Sequence, residues 1–178
     1  YLEGMSERRP DRTVNILEIG VDRGQTALPL MCEMLYKKVP FHWVGIDIRH
    51  DTNFSQQLVL MTGVDHARWA DISKPLGKAH YFINNSLDLL PTIAEQENVF
   101  DLILIDGDHN YETVAQELSY LNKITHEFSV VICDDYGGKH KGKDSFYSTK
   151  EDHKHLPERS VGLNMDKNLG GVERAVNE

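Results

Sequence analysis

The chain has 178 residues, of which 40% are hydrophobic and 26% are charged, and its formal net charge is -9. This length and composition are typical of one globular domain with a sizeable core. The negative charge argues against a general nucleic-acid surface, and no apolar stretch is long enough to cross a bilayer. We therefore expect a single cytoplasmic domain over 1–178 that binds neither nucleic acid nor membrane, either alone or as a homo-oligomer.

Five short apolar segments alternate with amphipathic ones along the chain. The predicted strands cover 14–19, 42–48, 80–83, 100–105 and 128–133. In one of the segments between them, Leu28, Met31, Cys32 and Leu35 fall on one helical face, and Ser86 is a candidate N-cap for a helix over 87–97. The alternation predicts an α/β fold with a doubly wound, mostly parallel sheet.

The two cysteines and the two chain ends complete this outline. Cys32 and Cys133 lie inside apolar runs, so we expect buried free thiols and a reducing compartment. The chain opens at Tyr1 without a methionine and stops at Glu178 inside a predicted helix. We therefore expect both ends to be truncations, with the last strands of the sheet missing.

A glycine-containing loop follows the first predicted strand, where residues 17–24 read LEIGVDRG. Gly20 and Gly24 allow a tight turn and a close approach of backbone to a ligand. The second strand ends at Asp47, a position from which a carboxylate can accept hydrogen bonds from both ribose hydroxyls. The combination favours a nucleoside ligand, although the glycines could serve only the turn and Asp47 could cap the next segment.

The charges of this loop indicate which nucleoside would fit. A dinucleotide-binding loop reads G-x-G-x-x-G, which is absent, and Asp22 would oppose a diphosphate at the helix start. Glu18, at the end of the strand, suits an ammonium group better than a phosphate. These features point away from NAD and towards an amino-acid-bearing nucleoside such as S-adenosylmethionine.

Two acidic clusters follow the fourth and fifth predicted strands, where 105–109 read IDGDH and 133–135 read CDD. Ligands of open α/β sheets bind outside the carboxyl ends of the strands, so Asp106, Asp134 and Asp135 should meet at that rim. Three adjacent carboxylates repel unless a cation or shared protons neutralise them, and a hard divalent ion prefers such oxygen ligands. The alternative is that the aspartates cap helices or remain solvated.

Residues 136–165 break the alternating pattern. They contain a Gly-Gly pair, five lysines and three histidines, but few apolar residues. The segment is too long for an ordinary connection. It could form a lid or substrate loop beside the second acidic cluster, or a solvated insertion.

The motifs together resemble the class I S-adenosylmethionine-dependent methyltransferases, and within them the small-molecule O-methyltransferases of the macrocin O-methyltransferase type. The resemblance rests on LEIG at 17–20, GID at 45–47, NNS at 84–86, DGDH at 106–109, DDY at 134–136 and GVERAVNE at 171–178. It covers most of the chain, although Asp22 stands where many methyltransferases have glycine.

The resemblance also assigns roles to individual residues. It implies that Glu18 and Gly20 border the methionine moiety, that Asp47 holds the ribose, and that Asn85 and Ser86 lie near the adenine. It further implies that Asp106, Asp134 and Asp135 bind Mg²⁺ or Mn²⁺. Catechol O-methyltransferases, which the metal constellation also resembles, carry a general base at the position of His109; a metal ligand or a local structural role are the alternatives there.

We therefore expect an enzyme that transfers a methyl group from S-adenosylmethionine to a hydroxyl of a small molecule, such as a sugar, a macrolide-like compound or a catechol-like compound. His109 and Asp106 are the candidate catalytic residues, with Gly24 as a further residue of the cofactor loop. The alternatives are a nicotinamide-dependent oxidoreductase and a cofactor-binding module without catalytic activity.

Overall fold

The computed structural model describes residues 13–62, 77–96, 98–146 and 168–178. They form five strands, six α-helices and a short 3₁₀ turn at Gly138–His140. In chain order the elements are β1 (Val14–Ile19), α1 (Ala27–Tyr36), β2 (Phe41–Asp47), α2 (Thr52–Thr62), β3 (Gly77–Ile83), α3 (Ser86–Glu95), β4 (Leu102–Ile105), α4 (Tyr111–Ser119), α5 (Leu121–Ile124), β5 (Val130–Cys133) and α6 (Gly171–Asn177).

All five strands pair in parallel, in the order β3-β2-β1-β4-β5. This confirms the predicted doubly wound sheet. The order reverses between β1 and β4, so the connections that follow these two strands diverge and leave a crevice at their carboxyl ends. None of the helices in the described part of the chain is long and apolar enough to span a bilayer.

Successive side chains of each strand point to opposite faces, so the sheet carries a core on both sides. Ile16 of β1 packs on one face with residues of α1 and α2, among them Met31 and Phe54. The next residue, Leu17, packs on the other face with Leu90 of α3. Burial on both faces explains why β1, β2 and β4 are nearly continuous apolar runs.

The prediction of two buried thiols is wrong for Cys32, which is exposed, whereas Cys133 is partly buried; both are free. The buried face of α1 consists of Ala27, Met31 and Met34, at spacings of four and three residues. Cys32 follows Met31 by about 100° around the helix axis, and this rotation places it outside that stripe. An apolar run by itself did not locate the buried face.

The start of the predicted insertion is attached to the domain as far as residue 146. Ser145 forms an antiparallel bridge with His109. The carboxylate of Asp144 accepts hydrogen bonds from the backbone N–H groups of Tyr111 and Gly170, at 2.5 and 3.0 Å, and also from that of Leu169. Residues 147–165 lie outside the described residues, so the lid stays a prediction.

Candidate active site

A cavity of about 470 Å³ opens in the crevice between β1 and β4. This volume lies within the usual range for small-molecule sites. Five of the six predicted cofactor residues line it, namely Glu18, Gly20, Asp47, Asn85 and Ser86, and so does the predicted catalytic residue Asp106. The crevice therefore brings residues from β1, β2, β3 and β4 to one site.

Gly20 is required by the way β1 and β4 approach each other. Its φ of +84° lies in the left-handed region, and a Cβ built there would stand 2.1 Å from the backbone oxygen of Asp106. The adjoining backbone continues the sheet, because the amide of Asp106 donates to the carbonyl of Ile19 at 2.8 Å. Gly20 thus joins the first loop to the acidic rim.

Gly24 lies in the turn before α1, away from the cavity lining. It also has a positive φ, of +72°, but it is not among the residues that line the cavity. A Cβ at this position would stand 2.1 Å from the ring of Phe54 in α2. Gly24 therefore serves the turn and the packing of α2, and its role in the cofactor loop stays a prediction.

Glu18 is buried, with 2% of its surface exposed. Its Oε2 accepts a hydrogen bond of 2.9 Å from the indole N–H of Trp43. Burial raises the pKa of Glu18 to about 7; the Trp43 hydrogen bond opposes this shift, while the charges of Asp106 and Asp47 add to it. A cationic group entering the cavity would favour the ionised carboxylate.

Asp47 organises the first loop from the end of β2. Its Oδ2 accepts hydrogen bonds from the backbone amides of Val21 and Asp22, at 2.9 and 2.7 Å, and its Oδ1 accepts one from Arg49 at 2.8 Å. These backbone donors fix the orientation of the carboxylate beside the first loop. The side chain of Arg49 also forms an ion pair with Asp22 across the loop.

The turn between β3 and α3 forms another wall of the cavity. The predicted N-cap Ser86 is wrong: the cap is Asn85, whose Oδ1 accepts a hydrogen bond from the Leu87 amide at 2.9 Å. Ser86 is the first residue of α3, and its hydroxyl instead donates to Oε1 of Glu117 at 2.6 Å. Asn84 and Asn85 also line the cavity.

The rim beside the cavity holds Asp106, His109 and Asp134, whose candidate ligand atoms all lie within 4.8 Å of one another. His109 Nε2 is 3.5 Å from Oδ1 of Asp106. The structure thus brings together two of the three predicted carboxylate ligands. The third, Asp135, is not in this group; its Oδ2 lies 2.9 Å from Nδ1 of His109. The predicted metal set of three aspartates stays a prediction.

His109 is 2% exposed and surrounded by carboxylates. Burial lowers its pKa, but the hydrogen bond with Asp106 and the charges of Asp135, Asp106 and Asp134 outweigh that effect, so its pKa lies above the ordinary value. Asp135 occupies a positive φ of +55°, which turns its carboxylate back towards the imidazole. The ring is therefore oriented by carboxylates at both nitrogens.

Two residues near the site were not predicted from the sequence. Glu117 is a fully buried acid beside Ser86. In the sequence it looks like any other polar residue of an amphipathic helix, so nothing marks it as buried. Asn110 caps α4 by accepting a hydrogen bond from the Thr113 amide at 2.9 Å. An asparagine before a helical segment is a recognisable cap, so this second residue could have been found.

The fold and the site define an α/β domain whose cavity lies at the carboxyl ends of its parallel strands and is lined by carboxylates. The sequence profile of a family described as methyltransferase domain matches residues 17–136. The chain belongs to this family, which confirms the class of S-adenosylmethionine-dependent methyltransferase predicted from the motifs. No curated protein matches the chain.

Solved structures agree with this fold. The apo structure of CalS11, a TDP-rhamnose 3'-O-methyltransferase of calicheamicin biosynthesis, is similar with a TM-score of 0.52 and 17% identity over 75% of this chain. MnmC2 from Aquifex aeolicus is similar with a TM-score of 0.53 and 12% identity over 73% of this chain. The matched regions span 59% and 44% of those two proteins.

Proposed function

We propose that this chain is an S-adenosylmethionine-dependent O-methyltransferase that acts on a hydroxyl of a small molecule with the help of Mg²⁺ or Mn²⁺. One observation carries the proposal: Asp106 lines the nucleoside-sized cavity and also belongs to the cluster with His109 and Asp134. A methyl donor in the cavity and an acceptor at the cluster would therefore be neighbours.

The charge of the cavity supports this cofactor. Glu18, Asp22, Asp47, Asp106 and Asp108 all line it, against two arginines. Such walls oppose the pyrophosphate of a nicotinamide dinucleotide but attract the sulfonium and ammonium groups of S-adenosylmethionine. The acidic walls, like the family match, therefore favour a methyl donor over the oxidoreductase alternative.

The residues at the rim fit a divalent cation. Asp106 and Asp134 offer carboxylate oxygens that lie within 4.8 Å of each other, and hard cations such as Mg²⁺ and Mn²⁺ prefer oxygen ligands. A cation held there would orient the acceptor hydroxyl and lower its pKa.

His109 is placed to take the hydroxyl proton. Its Nε2 lies at the rim, 3.5 Å from Oδ1 of Asp106, and Oδ2 of Asp135 lies 2.9 Å from its Nδ1, so carboxylates on both sides would stabilise the imidazolium that forms. In the transfer, the bond between sulfur and methyl carbon breaks while the acceptor oxygen bonds to that carbon. The hydroxyl proton passes to His109, and the products are a methyl ether and S-adenosylhomocysteine.

The acceptor is a sugar, macrolide-like or catechol-like hydroxyl. CalS11, one of the fold neighbours, acts on a rhamnose hydroxyl by its description, which makes glycosides the first acceptors to test. Adjacent oxygens, as in a diol or a catechol, would suit a rim that holds a divalent cation.

Calorimetric titration with S-adenosylhomocysteine tests the cofactor part of the proposal. Wild-type protein should bind it with a stoichiometry of one, and Asp47→Asn should weaken binding by roughly tenfold, because ionised acceptors form the stronger hydrogen bonds. Asp88→Asn makes the same change on α3 at an exposed position that does not line the cavity, and should leave the affinity unchanged. A wild-type protein that does not bind S-adenosylhomocysteine would refute the proposal.

Turnover with catechols and glycosides tests the reaction and the metal. The expected result is methyl transfer that chelator abolishes and that Mg²⁺ or Mn²⁺ restores, with cofactor affinity unchanged. Full activity in chelator would remove the metal part alone. Tight cofactor binding with no turnover of any acceptor would favour the non-catalytic binding module.

A further inference from the structure

Glu117 is a buried acid that the proposed reaction does not use. It lies in α4 with 1% of its surface exposed. Oε1 accepts the Ser86 hydrogen bond, but Oε2 has no hydrogen-bond partner in the part of the chain that the structure describes. Burying a carboxyl group with one oxygen unsatisfied is unfavourable, so packing alone does not account for it.

The position of Glu117 relates it to the cavity through Ser86. Ser86 lines the cavity, and so does Thr113, which lies one helical turn before Glu117 in α4. Glu117 therefore lies directly behind the wall, where the start of α3 meets α4. Its contact with Ser86 ties the turn at 84–86 to a helix that is distant in sequence.

The same turn adjoins Asp47, the carboxylate that the proposed function assigns to the ribose. The amide of Asn84 donates to the backbone carbonyl of Asp47 at 2.8 Å. If the ribose lies at Asp47 and the amino-acid part lies towards Glu18 and Asp106, as the proposed function requires, the wall formed by Asn85 and Ser86 is left for the base. Ser86 is thus at the base end of the cavity.

The hydrogen bond to Glu117 decides what Ser86 offers to a ligand. A hydroxyl has one proton, and that of Ser86 is donated to Oε1 of Glu117. Its oxygen then presents only acceptor lone pairs to the cavity. Burial raises the pKa of Glu117 to about 8, with the Asp108 charge adding and the Ser86 bond and His109 opposing. A protonated Glu117 still accepts from Ser86 when its proton is on Oε2, the oxygen without a partner among the described residues.

We propose that Glu117 is a positioning residue that fixes the Ser86 hydroxyl as an acceptor, and that this buried pair makes the protein select a base with an amino group over one with a carbonyl oxygen at the same position. This inference rests on the proposed function, because it assumes an S-adenosyl ligand. A site built to accept one hydrogen bond rejects an analogue that offers a second acceptor in its place.

The test compares S-adenosylhomocysteine with its deaminated analogue, S-inosylhomocysteine, by calorimetry. Wild type should prefer the adenosyl compound by about tenfold or more, the size of one well-placed hydrogen bond. Glu117→Leu should reduce this preference to within about threefold, and Glu117→Gln should keep it, because the amide oxygen still accepts from Ser86. Gln116→Leu, at the preceding exposed position, is the matched control and should behave as wild type.

Ser86→Ala reports on the same pair without placing an apolar residue in α4, and it decides the question if Glu117→Leu does not fold. It should lose the preference to the same extent, and the double variant should lose no more. A Leu or Ala variant that keeps the preference, or that loses equal affinity for both compounds, would overturn the inference. Wild-type protein that binds neither compound would instead refute the proposed function on which the inference rests.

Discussion

Replacement of Gly20 by alanine tests how the first loop is joined to the acidic rim. A left-handed conformation costs a residue with a side chain about 1–2 kcal/mol. The new Cβ would also stand 2.1 Å from the backbone oxygen of Asp106, and relieving a clash with backbone costs about 1–3 kcal/mol more. Gly20→Ala should therefore lower the free energy of unfolding by roughly 2–5 kcal/mol, a large part of the stability of a typical domain.

Gly107 provides the matched control, because it lies on the other side of the same contact. A Cβ there would come no closer than 3.2 Å, to a methyl group of Ile19, and its φ lies outside the left-handed region. Gly107→Ala should cost about 1 kcal/mol or less. Urea unfolding followed by circular dichroism measures both variants.

The same variant should affect ligand binding, because the loop must move away from Asp106 to accept the extra atom. We expect weaker S-adenosylhomocysteine binding in folded Gly20→Ala, measured by calorimetry. The reasoning would be refuted if Gly20→Ala stayed within about 0.5 kcal/mol of wild type, the range of ordinary surface changes. It would equally be refuted if Gly107→Ala were as damaging.

Three further predictions concern side chains in and around the site. His109→Ala should lower turnover by about 10²–10⁴-fold, as loss of a general base does, while changing S-adenosylhomocysteine affinity less than about threefold; equal losses would make His109 structural. Burial holds the pKa of Glu117 near 8 against an ordinary value of 4.5, so between those pH values the folded state keeps a proton that the unfolded state has lost, and stability falls as pH rises. Glu117→Gln should flatten that fall by on the order of 3 kcal/mol in urea unfolding at pH 5 and pH 8, and parallel pH profiles would contradict the burial argument. Ellman's reagent should label exposed Cys32 at least about tenfold faster than the partly buried Cys133, whose thiol pKa is raised mainly by burial; equal rates would contradict this expectation.

The strands could be predicted because each buried strand consists of consecutive apolar residues. The run from Leu102 to Ile105 is buried throughout, and that pattern needs no knowledge of the neighbours. The first and last residues of a strand were harder to predict where that strand lies at the edge of the sheet and is only partly buried. β5 begins at Val130 rather than at the predicted residue 128, because Phe128 is exposed and lies outside the pairing with β4.

In the candidate site, only the residues that directly follow a strand could be predicted from the sequence. Asp106 and Asp134 meet because β4 and β5 are neighbours in a parallel sheet, and the motifs fixed both strand ends. The partner of Ser86 is 31 residues away in α4, and helix periodicity does not say which polar residue is buried. The orientation of Asp135 depends on one backbone angle, φ +55°, which its residue type does not determine.

The acidic walls of the cavity relate binding to turnover under the proposed function. Burial raises the pKa of Glu18 to about 7, so this carboxyl group is only partly ionised near neutral pH. A sulfonium and an ammonium group favour its ionised form, so part of the attraction between protein and cofactor develops only when the ligand is present. Methyl transfer removes the sulfonium charge. The carboxylates of Glu18, Asp47 and Asp106 then attract the product less than they attracted the substrate, and the electrostatics that bind the methyl donor also favour release of S-adenosylhomocysteine.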